Sequence, residues 1–224
     1  MLPWRTIDRS QAASGGQLFL CERNGEYLLR VDNWELMSSR KSGSEEAMAE
    51  VGCKHIRNRP DARVLVAGLG LGYSLRATLD VVHPQTEVTV AEFVPEIIEW
   101  NRHIVGHLAD RPLDDPRVKV IAGDVKDVMK ERPGYFDAIL LDLDNGPQDF
   151  IDLSPKALYG PTGLKIIRKA LRGNQGVLVI WAGGPDPAFE KRMKQAGFRT
   201  DAVVARARKT GRGAHHVLFT GRKA

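Results

Sequence analysis

The chain has 224 residues, of which 42% are hydrophobic and 27% charged, which is enough for one domain with a sizeable core and short for two. No stretch approaches the roughly 18–20 consecutive apolar residues of a membrane helix, and the start Met1-Leu2-Pro3-Trp4-Arg5 leads into a mostly polar run rather than the apolar core of a secretory signal. A cytoplasmic protein with no membrane partner is therefore expected. Its two cysteines, Cys21 and Cys53, lack any CxxC or Cys/His spacing suited to zinc and read as buried or half-buried thiols, so no metal is expected.

In chain order, residues 1–15 show no periodicity and read as a loose arm. Residues 17–22 and 26–31 are strand-like runs around Asn24-Gly25, a dipeptide that tolerates positive φ and marks a hairpin. A third run, 34–38, continues the meander, and 40–43 is a polar linker. Ser44-Glu45-Glu46 opens a helix with a hydroxyl cap and acids against the macrodipole. Ala47, Val51 and Ile56 form its apolar side, and Pro60 follows its end.

From Arg63 onward strands and helices alternate. Strands are expected at 64–67, 87–91, 118–121, 136–141 and 177–181, and helices at 73–82, 95–107, 125–131, 162–172 and 187–196. Two closing strands, 200–207 and 215–220, flank a Gly-rich turn and form an antiparallel pair. The alternation implies an α/β fold: a doubly wound, mostly parallel seven-stranded sheet, preceded by a small N-terminal β-hairpin or meander. The chain divides into an N-terminal arm and β segment, 1–43, and a nucleotide-binding domain, 44–224.

The chemistry gathers at strand ends. Val64-Leu65-Val66-Ala67 runs into Gly68-Leu69-Gly70-Leu71-Gly72 and then a helix. Such glycines permit a tight turn and let a cofactor lie against bare backbone. The spacing is GxGxG, not the dinucleotide GxGxxG, and no Walker lysine follows. Glu92, about 20 residues past the turn and followed by Phe93, stands where a carboxylate meets the two ribose hydroxyls. The next strand ends in Ala122-Gly123-Asp124-Val125. Asp124 can accept from an adenine amino group, cap the following helix, or do both, and Val125 can cover the ring. The fourth strand ends in Asp142-Leu143-Asp144-Asn145-Gly146-Pro147. Asp142 and Asp144 alternate onto one side, where they can orient an amine or act as a base.

On these residues the stretch 63–181 resembles the spermidine synthase family, which has the class I methyltransferase fold. Leu113-Asp114-Asp115-Pro116-Arg117-Val118-Lys119-Val120-Ile121-Ala122-Gly123-Asp124 and Tyr135-Phe136-Asp137-Ala138-Ile139-Leu140-Leu141-Asp142 are close to that family's patterns, and the N-terminal β segment is similar to its small β domain. The resemblance implies S-adenosylmethionine, its decarboxylated form or methylthioadenosine as cofactor, and a homodimer through the N-terminal segment. The departures are specific. Leu71 stands where the family's Gly-rich turn carries an acid that grips the amine of decarboxylated S-adenosylmethionine. Asn145 replaces the second acid of D-S-[ST]-D, with Asp144 as a substitute; Leu36 replaces the glutamine of DGxxQ; and Ser44-Glu45-Glu46 replaces Tyr-His-Glu.

Losing a buried charge partner for an ammonium costs about 3–5 kcal/mol, so Leu71 points to ordinary S-adenosylmethionine or methylthioadenosine. The leading expectation is methyl transfer to a small-molecule acceptor, with Asp142 and Asp144 as catalytic residues. Aminopropyl transfer from decarboxylated S-adenosylmethionine, making a polyamine, is the alternative, and a noncatalytic nucleotide-binding protein a further one. The net charge of +5 is concentrated in part at Arg206, Arg208, Lys209, Arg212, Arg222 and Lys223. These read as a solvated strand edge or, alternatively, a nucleic-acid surface marked by salt-dependent binding. His215 and His216 are adjacent on one strand and point to opposite faces, which argues against a shared metal.

Overall fold

The computed structural model describes residues 2–12, 15–40, 43–143, 156–206 and 214–224. Four N-terminal strands, β1 (Arg5–Gln11), β2 (Gln17–Arg23), β3 (Glu26–Val31) and β4 (Trp34–Ser38), pair antiparallel in that order. Asn24 takes φ 51° in the β2–β3 turn, as its dipeptide predicts. The loose arm expected at 1–15 is corrected: Arg5–Gln11 forms β1, an edge strand paired with β2 from Arg5↔Glu22 to Gln11↔Gln17 with a register shift between Thr6 and Asp8. Polar residues occupy both of its sides, so no period-2 signal exists; backbone pairing holds it instead.

The second sheet has seven strands in the order β10-β11-β9-β8-β5-β6-β7. Strands β5 (Arg63–Ala67), β6 (Glu87–Glu92), β7 (Val118–Ala122), β8 (Ala138–Leu141) and β9 (Val177–Ala182) are parallel, while β11 (His215–Lys223) runs antiparallel to β9 and β10 (Phe198–Arg206) antiparallel to β11. The chain winds outward from β5 through β6 to β7, then returns to β8 on the other side of β5. The crevice beyond the β5 and β8 carboxyl ends is thus a topological switch point, where such sheets bind ligands.

Among the described residues, seven α-helices flank the sheet: α1 (Gly43–Cys53), α2 (Tyr73–Val81), α3 (Pro95–Trp100), α4 (Val125–Glu131), α5 (Lys156–Tyr159), α6 (Pro161–Ala170) and α7 (Pro187–Gln195). Strand alternation separates two cores. Val64, Val66, Ala138 and Leu140 pack with Leu75 and Leu79 of α2 and with Leu18, Leu20, Leu29 and Val31 of the N-terminal sheet. Leu65, Ile139 and Leu141 pack on the other face with Leu164 and Ile167 of α6 and Phe189 of α7. Each fully buried aliphatic side chain contributes about 1.5–3 kcal/mol, which offsets the ordering of a continuous parallel sheet. Gly52 brings α1 onto this sheet, since a Cβ there would lie 2.3 Å from Leu140 Cδ2.

The helix expected over 95–107 is interrupted. After Trp100 comes one π-helical turn, Asn101–Val105, and then a 3-10 turn, Gly106–Ala109. The Asn101 amide nitrogen donates both to Ile97 O at 2.9 Å and to Gly70 O at 2.8 Å, and the backbone of Gly106 folds tightly on Asn101 O. A side chain that serves a neighbouring turn as well as its own helix favours such a bulge. Both cysteines are free and buried as expected, and burial pushes the Cys53 thiol up to about 12. Among the described residues no helix is long and apolar enough to cross a membrane.

Candidate functional site

A cavity of about 430 Å³ opens at the switch point, beneath the inner face of the N-terminal sheet. Its walls join the candidates that the sequence scatters: Gly68, Leu69 and Gly70 after β5, Glu92 and Phe93 after β6, Asp124 and Val125 after β7, and Asp142 after β8. Gly72 lies outside the wall, starting α2 against Asn101 and Pro112. Asp144 and Asn145 lie outside the described residues, as do Arg208, Lys209 and Arg212.

Gly68 is obligatory: its φ is +84°, and a Cβ there would lie 2.2 Å from the Asp142 carbonyl oxygen. Its N–H donates to Ala91 O at 2.9 Å, and the Asp142 N–H donates to Ala67 O at 3.0 Å, so the three strand ends share one ladder. Glu92 is buried, accepting from the Leu69 N–H at 2.8 Å and the Val94 N–H at 2.9 Å. Burial raises its carboxyl above the usual range while these N–H groups oppose the rise. It therefore braces the glycine turn while lining the cavity. Asp124 caps α4, accepting from the Lys126 N–H at 2.7 Å, while also lining the cavity.

Asp142 accepts a hydrogen bond from the buried Ser74 hydroxyl at the start of α2. Burial raises its carboxyl, with Ser74 opposing. The same cavity wall holds Glu45, in the first turn of α1, 7% exposed and hydrogen-bonded by Ser44 Oγ at 2.8 Å. Burial, then the charge of Asp142, push Glu45 up to about 7. Sequence reasoning missed Glu45, reading it as a complement to the helix dipole; the acid standing at the family's histidine position was the available signal. Trp181, Met37 and the turn-bracing Asn101 were also missed.

Leu71 is not part of the cavity wall. Its side chain is fully buried in the core beside Leu75 and its N–H meets Met37 Sδ at 3.3 Å. At this position the chain therefore offers a ligand ammonium no acid, and Leu71 itself makes no contact with the cavity. The basic C-terminus is likewise partly internal: Lys223 Nζ donates to Leu171 O at 2.6 Å and Arg222 to Gln175 O at 3.3 Å. His215 is exposed, whereas His216 is half-buried with its ring 4.6 Å from that of Trp181.

The strand order, the glycine turn and the acids at successive strand ends define the class I methyltransferase fold, the Rossmann-like fold of transferases that use S-adenosylmethionine and its derivatives. Within that class, the chain belongs to the spermine/spermidine synthase domain family, whose model matches residues 42–193. It is 30% identical over 122 residues to a polyamine aminopropyltransferase of Korarchaeum cryptofilum (strain OPF8), a match covering 54% of this chain and 36% of that relative's length. Among solved structures, spermidine synthase from Thermotoga maritima superposes at TM-score 0.74 with 18% identity, over 98% of this chain and 73% of that one. A spermidine synthase in complex with the transition state analogue AdoDATO gives TM-score 0.78 at 18% identity, over 98% of this chain and 74% of that one. A probable spermidine synthase from Corynebacterium glutamicum ATCC 13032 gives 0.67 at 17% identity, over 99% of this chain and 81% of that one. At such identities these likenesses establish the fold.

Proposed function

We propose that this protein transfers an aminopropyl group from decarboxylated S-adenosylmethionine to an amine. One observation carries the reading: the cavity wall holds the carboxylates of Glu45, Glu92, Asp124 and Asp142, and no lysine, arginine or histidine among the described residues. The α-carboxylate of S-adenosylmethionine would enter that field without a cationic partner, an arrangement that costs several kcal/mol when desolvated. The decarboxylated donor carries only positive charge beyond its adenosine. Methyl transfer, the leading expectation from sequence, rested on Leu71 and gains no support from the family match.

In this reading Glu92 receives the ribose hydroxyls, Asp124 the adenine amino group, and the turn Gly68–Gly70 the nucleoside backbone. The acceptor nitrogen attacks the propyl carbon bonded to sulfur. The C–S bond breaks with its electron pair passing to sulfur, which leaves as neutral methylthioadenosine. The attacking nitrogen loses its proton to the carboxylate of Asp142. Such a site works chiefly by alignment and by proton acceptance at one atom. Release of methylthioadenosine from the decarboxylated donor in the presence of a primary amine tests the reading. Release of S-adenosylhomocysteine from S-adenosylmethionine instead would overturn it.

A further inference from the structure

The parallel register pairs Ala67 with Ala91, Ala67 with Leu141, and Leu141 with Ile180. One residue further on, Glu92, Gly68, Asp142 and Trp181 therefore stand level on β6, β5, β8 and β9, in the order those strands have in the sheet. Level residues of neighbouring strands point to one face, and all four line the same cavity. Neighbouring strands lie about 4.8 Å apart, so the Trp181 backbone is about one spacing from Asp142 and about three from Glu92. On its other side Trp181 pairs with Leu218 of β11. The ring of His216, on the same strand β11, meets the half-buried indole at 4.6 Å and 69°, an edge-to-face contact that restrains the indole.

This rung has a direction. The nucleoside belongs to its Glu92 end, and Trp181 stands at the other. Displacement at carbon proceeds in line, with the nucleophile entering opposite the leaving sulfur. The sulfur stays with the nucleoside, so the attacking amine and the rest of its chain lie toward β9, beside and beyond Asp142. We propose, on the basis of the aminopropyl reading, that Trp181 selects the acceptor: the carbon chain of the incoming amine and its charged end rest on the indole face. Tryptophan is suited to both parts of such a ligand. Its ring face attracts a cation, and its large apolar area covers methylene groups. Asp142, one strand away, takes the proton of the attacking nitrogen while the indole holds the remainder of the molecule. Trp181 thus acts on acceptor binding and takes no part in the proton transfer.

Binding separates this role from the reaction itself. The whole chain, saturated with methylthioadenosine, is titrated calorimetrically with 1,4-diaminobutane. Trp181→Leu should weaken the diamine by about tenfold or more. Trp181→Phe, which keeps an aromatic face, should stay within about threefold of the unsubstituted protein. Methylthioadenosine affinity should be the same in all three, because the nucleoside lies at the far end of the rung. In steady-state turnover the acceptor KM should rise in Trp181→Leu with kcat and the donor KM held, a split that a general loosening of the fold would not give. Trp181→Met removes the ring from the same half-buried position and takes the place of Trp181→Leu should that variant not fold. Failure of the unsubstituted protein to bind the diamine, unchanged affinity without the ring, an equal loss in Trp181→Phe, or a parallel loss of methylthioadenosine affinity would overturn the proposal. Ring-dependent binding of the diamine without release of methylthioadenosine from the decarboxylated donor would count against the aminopropyl reading alone.

Discussion

The Ser74 hydroxyl donates a hydrogen bond to the carboxylate of Asp142, tying the first turn of α2 to the carboxyl end of β8. The glycine turn and the acid are thus held together. Backbone contact reinforces the link, since Gly68 packs directly on the Asp142 carbonyl. The carboxylate is therefore aimed by two neighbouring strands before any ligand arrives.

Asp142→Asn should remove the proton acceptor and keep the side-chain shape. Turnover is expected to fall by about 10²–10⁴, the usual range for a general base, with methylthioadenosine affinity changed little. Single-turnover kinetics combined with calorimetry would separate the two effects. Retained turnover would exclude Asp142 as the base.

Glu92→Gln replaces a charged acceptor that serves the Leu69 and Val94 N–H groups and faces the nucleoside side of the cavity. Hydrogen bonds to charged groups are worth about 1.5–3 kcal/mol, so methylthioadenosine should bind roughly ten- to a hundredfold more weakly. A modest fall in melting temperature should accompany this, because one backbone N–H loses its acceptor. Unchanged nucleoside affinity would remove Glu92 from the ribose role.

Gly68→Ala should be poorly tolerated. The left-handed backbone costs a non-glycine residue about 1–2 kcal/mol, and the added Cβ must push the Asp142 carbonyl away from 2.2 Å. Stability by urea denaturation and donor affinity should fall together. A variant with wild-type stability would show that the turn can relax, contrary to its tight coupling with β8.

How much of this was legible in the sequence follows from which interactions are local. Gly68, Glu92 and Asp124 could be placed because a strand end followed by a turn fixes where its residues emerge, and they line one cavity. β1 was missed because its residues RTIDRSQ carry no apolar alternation, and only pairing with β2 makes it a strand. The break after Trp100 was missed because its cause, the bond from Asn101 to Gly70, spans distant parts of the chain. That Leu71 lies in the core rather than on the cavity wall likewise depends on packing between distant parts of the chain. Glu45 hid behind a sound local reading, since first-turn acids complement a helix dipole whether or not they also face a cavity.

The pair of Glu45 and Asp142 also predicts a pH dependence. Glu45 is raised from 4.5 to about 7, chiefly by burial and next by Asp142, so the folded state holds its proton more tightly than the unfolded chain. The stability this supplies is fully present below 4.5 and is lost as pH rises through about 7. The ligand-free protein should therefore lose melting temperature between about pH 5 and about pH 8 more steeply than Glu45→Gln does. Parallel curves for the two proteins would mean that Glu45 titrates as an ordinary exposed acid.

The choice of donor is the point on which the functional account turns, and calorimetric titration with S-adenosylmethionine and with its decarboxylated form tests it most directly. A cavity wall with four acids and, among the described residues, no cation predicts tighter binding of the decarboxylated form, by about tenfold or more for one unpaired carboxylate. Tighter binding of intact S-adenosylmethionine would contradict the account and return methyl transfer to the lead.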